Sequence, residues 1–304
     1  MEAHVDLLAW FDRHGRHDLP WRRTSDPYHI YISEIMLQQT QVERVREYYE
    51  RFLRRFPTLK SLSQSDIDEV LALWSGLGYY RRARNLHAAS RACDGRLPTE
   101  YHELLKLPGI GEYTASAICS FAYDQPIAVI DTNIDRLLRR LFATDRPKEY
   151  ALSFLNIHSP KRHNLALMDL GSMICTPKNP ACHHCPLHRF CLGKEEPGRY
   201  LRRKAQKRQK KELHLCFWIR GDALALIRSK ENLYKGMLTL PAAKPEGKPI
   251  ATFSHSYTRY DLTIHLHSQR PEGDIEWIPL QKLSHSPINN IVKKALRLLC
   301  QAPF

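Results

Sequence analysis

Residues 107–118 read LPGIGEYTASAI, and the fold turns on how they are taken. One helical pattern precedes them at Glu100–Lys106 and another follows at Glu112–Tyr123, so the chain reverses over Pro108-Gly109-Ile110-Gly111. Gly109 and Gly111 permit a positive φ and a close backbone approach, and the N–H groups of such a turn point outward beside a helix N-terminus. Donors arranged in this way suit a phosphate. A turn of this kind can also be an ordinary helix connection. The charge favours the first reading: 46 lysines and arginines against 32 acids give +14, an excess that suits a polyanionic partner.

Working outward, the pattern is helical from Val5 to about Leu170. At 26–42 the chain reads DPYHIYISEIMLQQTQV. Asp26 can cap a helix whose first turn holds Pro27, where a missing N–H costs nothing, and the helix should run to Leu37. It is apolar on most sides, which is the pattern of a buried helix. Glu34 lies within it, and a buried, unpaired carboxylate keeps its proton towards neutral pH. Glu34 is therefore a candidate general acid; the alternative is a partly exposed or salt-bridged glutamate. Thr40 and Glu43 form a capping-box pattern that starts the next helix at Gln41 and leaves Gln38 and Gln39 at the junction. Further helices are expected at Asp66–Trp74, Arg82–Cys93 and Asn133–Phe142.

Asp131 follows the apolar run PIAVI and precedes TNIDRLLRRL, so it should cap the helix after it. Backbone donors and the helix dipole there favour the anion, which predicts a low pKa. Two carboxylates pushed apart, Glu34 towards protonated and Asp131 towards ionised, suit departure of a leaving group from a sugar with cationic character. A plain cap is the alternative for Asp131. At 76–80, GLGYY puts aromatics on a glycine-punctuated loop beside RRARN, a composition that can wedge into a base stack or fill a helix junction.

Cys175, Cys182, Cys185 and Cys191 give C-x6-C-x2-C-x5-C, four thiols within seventeen residues and strong evidence for one metal centre. Zinc and a [4Fe–4S] cluster are not separated by this spacing. His183, His184 and His188 are alternative ligands, but with four thiolates completing the site they are read as facing solvent or phosphate. The scattered remaining cysteines give no disulfide pattern, and neither a signal-peptide pattern nor an apolar run of membrane-spanning length occurs, so a soluble cytoplasmic protein is expected.

Residues 199–211, RYLRRKAQKRQKK, carry eight basic residues and no apolar period, and read as a linker. Beyond it the period becomes alternating. LHLCFWI and ALALIRS flank Gly221-Asp222 as a hairpin, DLTIHLH puts Leu262, Ile264 and Leu266 on one strand face, and a last helix capped by Ser286 should span Pro287–Leu299. This second unit is a small α+β domain.

Together SEIMLQQTQV, GLGYY, LPGIGEYTASAI, VIDTNIDR, MDLGSMICT and the four cysteines resemble the MutY adenine DNA glycosylases of the helix-hairpin-helix superfamily, densely over residues 3–195 and loosely over 212–304. The resemblance implies a catalytic glycosylase domain at 1–198, with a six-helix lobe at about 21–128 and an iron–sulfur lobe from 1–20 and 129–198, then the linker and a Nudix-like lesion-recognition domain at 212–304. It implies a [4Fe–4S] cluster on Cys175, Cys182, Cys185 and Cys191, and a monomer acting on double-stranded DNA in the bacterial nucleoid, with no membrane partner. The activity implied is removal of adenine mispaired with 8-oxoguanine or guanine. Glu34 would protonate the flipped-out base, Asp131 would stabilise the sugar cation, and Tyr113 and Asn133 would line the site. Trp21, Arg22, Gln39, Tyr79, Gly109 and Gly111 would hold DNA, and Phe253, Ser254 and His255 would read the lesion. Endonuclease III enzymes carry a lysine where this chain has Tyr113, which implies a monofunctional glycosylase; Thr132 stands where the family usually has glycine.

Overall fold

The computed structural model describes residues 2–201, 208–231, 234–257 and 260–300. In chain order the helices before the strands are α1 (Glu2–His14), α2 (Pro27–Leu37), α3 (Val42–Arg55), α4 (Leu59–Ser63), α5 (Ile67–Trp74), α6 (Arg81–Ala92), α7 (Tyr101–Leu104), α8 (Glu112–Tyr123), α9 (Thr132–Leu141), α10 (Pro147–Ala151) and α11 (Pro160–Met173). The strands are β1 (Gln209–Cys216), β2 (Ile219–Arg220), β3 (Ala223–Arg228), β4 (Leu238–Thr239), β5 (Ala251–Tyr257), β6 (Tyr260–His267) and β7 (Glu276–Pro279), and α12 (Asn290–Cys300) follows. A helical N-terminal region thus precedes a small α+β part. No helix is long and apolar enough to cross a membrane.

Two compact units interleave in sequence, Met1–Tyr49 with Ala92–Arg203 and Glu50–Arg91 with Lys204–Phe304. Residues 50–91 therefore group with the C-terminal segment and not with the rest of 1–198. The physical reason lies inside the second unit, where the Ser75 hydroxyl donates to the Ile288 carbonyl at 2.6 Å and Arg228 pairs with Asp68 at 2.8 Å.

In the first unit, local chemistry sets the ends of α2. The Asp26 carboxylate accepts from the Tyr28 and His29 N–H groups, and Pro27 occupies the first turn, as the sequence predicts. Eight of its positions, including Tyr31, Ile32 and Met36, are buried, because the helix packs on α8 and shares a core with Ala117, Phe121 and Val129. A second core joins α1, α9 and α11 through Leu7, Trp10, Phe11, Ile134, Leu138, Leu167 and Leu170. Each such side chain contributes about 1.5–3 kcal/mol by leaving water. Gly171 lets α11 meet α9 closely: a Cβ there would stand 2.9 Å from the Asn133 Cβ.

The second unit carries the strands. One sheet has the order β1-β6-β5, with β1 parallel and β5 antiparallel to β6, and it buries Leu262, Ile264 and Leu266 as expected. The other has the order β2-β3-β4, with β7 also on β3. Gly221, at φ +61°, makes the β2–β3 turn, but the LHLC half of the expected first hairpin strand lies in β1 and pairs with β6 instead.

Other boundaries move for reasons that only distant contacts supply. The helix expected from Gln41 begins at Val42, after Gln39 takes a left-handed φ of +56°. The helix expected at Glu100–Lys106 is shorter, Tyr101–Leu104. The linker expected over 199–211 begins inside a 3-10 turn at Pro197–Tyr200 and ends inside β1, whose Gln209, Lys210 and Lys211 pair with Tyr260, Asp261 and Leu262; its residues 202–207 lie outside the described residues. The last helix starts at Asn290, not Pro287, because Ile288 bridges to Leu238, and Asn289, not Ser286, accepts from the Ile291 and Val292 N–H groups. Asn289→Ala is expected to weaken α12 by about 1 kcal/mol, read as faster amide hydrogen exchange over 290–300, while Ser286→Ala leaves that exchange unchanged.

Candidate active site

α2 brings Glu34 against α8 in the first unit, and there the Tyr113 hydroxyl donates to Glu34 Oε2 at 2.5 Å. The glutamate is 4% exposed, and burial pushes its carboxyl up to about 7 against the opposing pull of the Tyr113 hydrogen bond and the Arg22 guanidinium. Asp131 adds a further upward push, so the two carboxylates lie close enough to interact, a meeting that neither segment of sequence could show. Both also act on the Tyr113 phenol, which burial holds well above its ordinary range.

Asp131 caps α9 as predicted. Its Oδ1 accepts from the Asn133 N–H at 2.9 Å and the Ile134 N–H at 2.7 Å, and its Oδ2 accepts from Asn133 Nδ2 at 2.8 Å. Its pKa corrects the sequence reading, which expects it low: burial raises it above the ordinary 3.8 and outweighs the three donors. A cap in water and a cap inside a core differ in desolvation, which no local pattern records.

Arg22 is held from beneath. Its Nη1 and Nη2 donate to Asp169 at 2.6 and 2.8 Å, and Arg16 Nε donates to the same carboxylate at 2.7 Å. Asp169, with no exposure, stays charged because those arginines and the Arg16 N–H lower its pKa below the usual value despite burial. Trp21 is buried edge-on to Tyr49 at 5.4 Å. Trp21 and Arg22 thus present little side chain to solvent.

Asn133 connects this pocket to the cysteines. Arg136 Nη2 donates to Asn133 Oδ1 at 3.0 Å and to the Gly171 carbonyl at 2.6 Å, while its Nε donates to the Cys175 carbonyl at 2.8 Å. One turn on, Arg140 Nη1 donates to Cys175 Sγ and to the carbonyls of Cys175 and Thr176. The sequence reading singled out neither arginine nor Asp169. A signal existed in DRLLRR, where arginines fall on an otherwise apolar helix, but the carbonyls they reach lie more than thirty residues away.

Cys175, Cys182, Cys185 and Cys191 line one cavity with Leu137, Leu141 and Leu187. Four thiols around one cavity, with an arginine N–H on Cys175 Sγ, fit a cluster in which each thiolate takes its own iron. Burial pushes the Cys185 thiol up to about 12, so a metal must displace its proton. His183, His184 and His188 are exposed, as read.

Gly109 has φ +78° and Gly111 is the N-cap of α8, where a Cβ would meet nothing within 4 Å; the turn's backbone is open to a partner. Gln39 is exposed. In the second unit, Gly76, Gly78 and Tyr79 all have positive φ, with Leu77 and Tyr80 buried and Tyr79 half-buried under Arg82. On β5, Ser254 is exposed, Phe253 is half-buried, and His255 is buried with its Nε2 on the Tyr234 hydroxyl at 3.0 Å; burial holds its imidazole down to about 4, so it is neutral.

Comparison with known proteins bears on the same residues. Residues 32–157 match the family described as HhH-GPD superfamily base excision DNA repair protein, and residues 175–191 match the iron-sulfur binding domain of endonuclease III. These cysteines are accordingly the ligands of a [4Fe–4S] cluster. An adenine DNA glycosylase of Buchnera aphidicola subsp. Schizaphis graminum is 38% identical over 226 residues, 70% of this chain and 65% of that protein. One of Mycolicibacterium smegmatis is 40% identical over 197 residues, 60% of this chain and 67% of that protein. The chain therefore spans less than two thirds of the length of the Buchnera protein and two thirds of that of the Mycolicibacterium protein. A solved thermostable thymine-DNA glycosylase superposes with a TM-score of 0.60 at 28% identity, covering 64% of this chain and 95% of that one. With the buried Glu34–Tyr113 pair and the cysteine cage inside or beside the matched segments, the chain belongs to the adenine DNA glycosylase family of the helix-hairpin-helix superfamily.

Proposed function

We propose that this protein hydrolyses the N-glycosidic bond of adenine mispaired with 8-oxoguanine or guanine in duplex DNA, acting as a monomer and leaving an abasic site. The observation that carries the reading is Glu34, a carboxyl buried to 4% exposure and raised to about 7, in range of a second carboxylate. A glycosidic bond inside a base stack is out of reach, so the nucleotide must leave the duplex to meet them. Glu34 then donates its proton to N7 of the adenine, which makes the base a better leaving group, and afterwards takes a proton from the attacking water. Tyr113 aims the carboxyl through its 2.5 Å hydrogen bond. Asp131, fixed by three donors, keeps its anionic charge towards the sugar as positive charge develops there, and Asn133 holds that carboxylate in place.

Tyr113 offers no amine, so no Schiff base with the sugar forms and the enzyme is monofunctional. Gly109 and Gly111 present backbone donors to a phosphate. Gln39 and Tyr79 act at the gap beside the lesion; their left-handed φ values of +56° and +51°, a strain that residues keep at working sites, support this. Trp21 and Arg22 shape the pocket from beneath. The C-terminal part acts as a Nudix-like reader of the opposite base, with Ser254 and the edge of Phe253 as its accessible residues and His255 fixing the strand from inside through Tyr234. The cysteines hold the cluster as a structural fastening near α9, and the basic surface tracks the DNA backbone.

A single-turnover assay on duplexes with adenine opposite 8-oxoguanine, adenine opposite guanine, thymine opposite guanine, and thymine glycol, each read with and without alkali, tests the proposal. Alkali-dependent breaks at adenine, reduced 10²–10⁴-fold in Glu34→Gln and faster opposite 8-oxoguanine, are expected; breaks only at thymine or thymine glycol overturn it.

Glu34 serves as the acid only while protonated, so the rate falls about tenfold per pH unit above about 7, and the acidic limb set by Asp131 lies higher than an ordinary aspartate would place it. Asp169→Asn leaves Arg22 less neutralised, favours the Glu34 anion, and moves the alkaline limb to lower pH. Stability follows the same group. The folded carboxyl binds its proton up to about 7 and the unfolded one only to about 4.5, so folding is progressively penalised between those values. Glu34→Gln is expected to raise stability over the wild type by an amount that grows from pH 5 to 8 towards about 3 kcal/mol, read by calorimetry.

A further inference from the structure

The sheet of the C-terminal part carries a histidine cluster that the glycosylase reading does not use. β1 and β6 run parallel in a register that sets His214 beside His265 and Cys216 beside His267. With side chains alternating, Glu212 and His214 on β1 and His265 and His267 on β6 share the face opposite the buried Leu262, Ile264 and Leu266. The His214 and His265 rings stack 4.8 Å apart at 17°. His265 Nε2 stands 3.7 Å from Glu212 Oε2. Among the described residues, Glu212, His214 and His265 are the one group of three metal-binding side chains whose ligand atoms all fall within 4.8 Å of one another.

Their other ring nitrogens are engaged. His265 Nδ1 is 3.1 Å from the Thr252 hydroxyl on β5, and His214 Nδ1 is 2.9 Å from Nε2 of the buried His267. Each partner engages Nδ1 and leaves Nε2 for an ion, the arrangement in which imidazole ligands are held for a metal. The Glu212 side chain is 71% exposed and the His265 side chain 20%, so an ion can enter from solution.

We infer that Glu212, His214 and His265 form a site for a divalent transition ion of the zinc class, separate from the cysteine cage. Two imidazoles and one carboxylate suit zinc and disfavour magnesium and calcium, which take oxygen ligands. The fourth position remains for water. An ion there ties β1, the first strand after the basic stretch, to β6 and so clips the sheet at its edge.

The test is a zinc titration of the full-length protein with its cluster intact, checked by iron content and the cluster's visible absorbance, in competition with a chromophoric chelator. Wild type should take up one zinc per chain. The apparent affinity should fall at least tenfold in His214→Ala and His265→Ala, and severalfold in Glu212→Gln, with His183→Ala/His184→Ala as an unchanged control. No uptake by wild type, uptake indifferent to the sheet variants, or uptake lost only in the control overturns the inference. Should a sheet variant fail to fold, amide hydrogen exchange in the wild type decides: zinc should slow exchange over 210–216 and 262–267 at least threefold, and unchanged exchange overturns the proposal.

Discussion

A carboxylate without exposure to water, Asp169, holds two arginines that enter the chain some 150 residues earlier, and the pocket depends on that grip. Arg16 and Arg22 lie in the segment between α1 and α2, so their attachment to α11 fixes where α2 begins and hence where Glu34 stands. The same pair sets the charge of the pocket. Arg22 lowers the Glu34 pKa, but with both its amino groups committed to Asp169 its pull is outweighed by burial. A free arginine at that position would pull the Glu34 pKa further down. Removing one partner of such a pair leaves the other charge buried, at a cost of about 3–5 kcal/mol.

The second constraint is α9. Its first residue follows Asp131, its second is Asn133, and Arg136 and Arg140 reach from the same helix to the backbone and sulfur of Cys175. One helix thus joins the Asp131 carboxylate at its N-cap to Cys175 through its arginines. The segment that holds Cys175 anchors the helix whose N-terminus fixes Asp131.

Legibility followed the range of the interaction. The bounds of α2 and α8 and the cap on Asp131 were readable because a cap is satisfied by its own next few residues. The start of α12 was not, because Ile288 is drawn into a bridge with Leu238, fifty residues back, and the cap passes to Asn289. β1 was hidden in a basic stretch because an edge strand with solvent-facing lysines has no apolar period until its partner β6 is known.

Sequence alone determined the chemistry available: Glu34 on an apolar helix, Asp131 at a helix start, four closely spaced cysteines, and a glycine turn between helices. Tertiary structure alone decided how that chemistry is tuned. It brought Glu34 near Asp131 and against Tyr113, reversed the expected direction of the Asp131 shift, and gathered the four cysteines around one cavity. The reason is common to all three. Spacing along a chain fixes which groups a short helix or turn presents, whereas desolvation and the distances between charges are set by segments that meet only when the chain has folded.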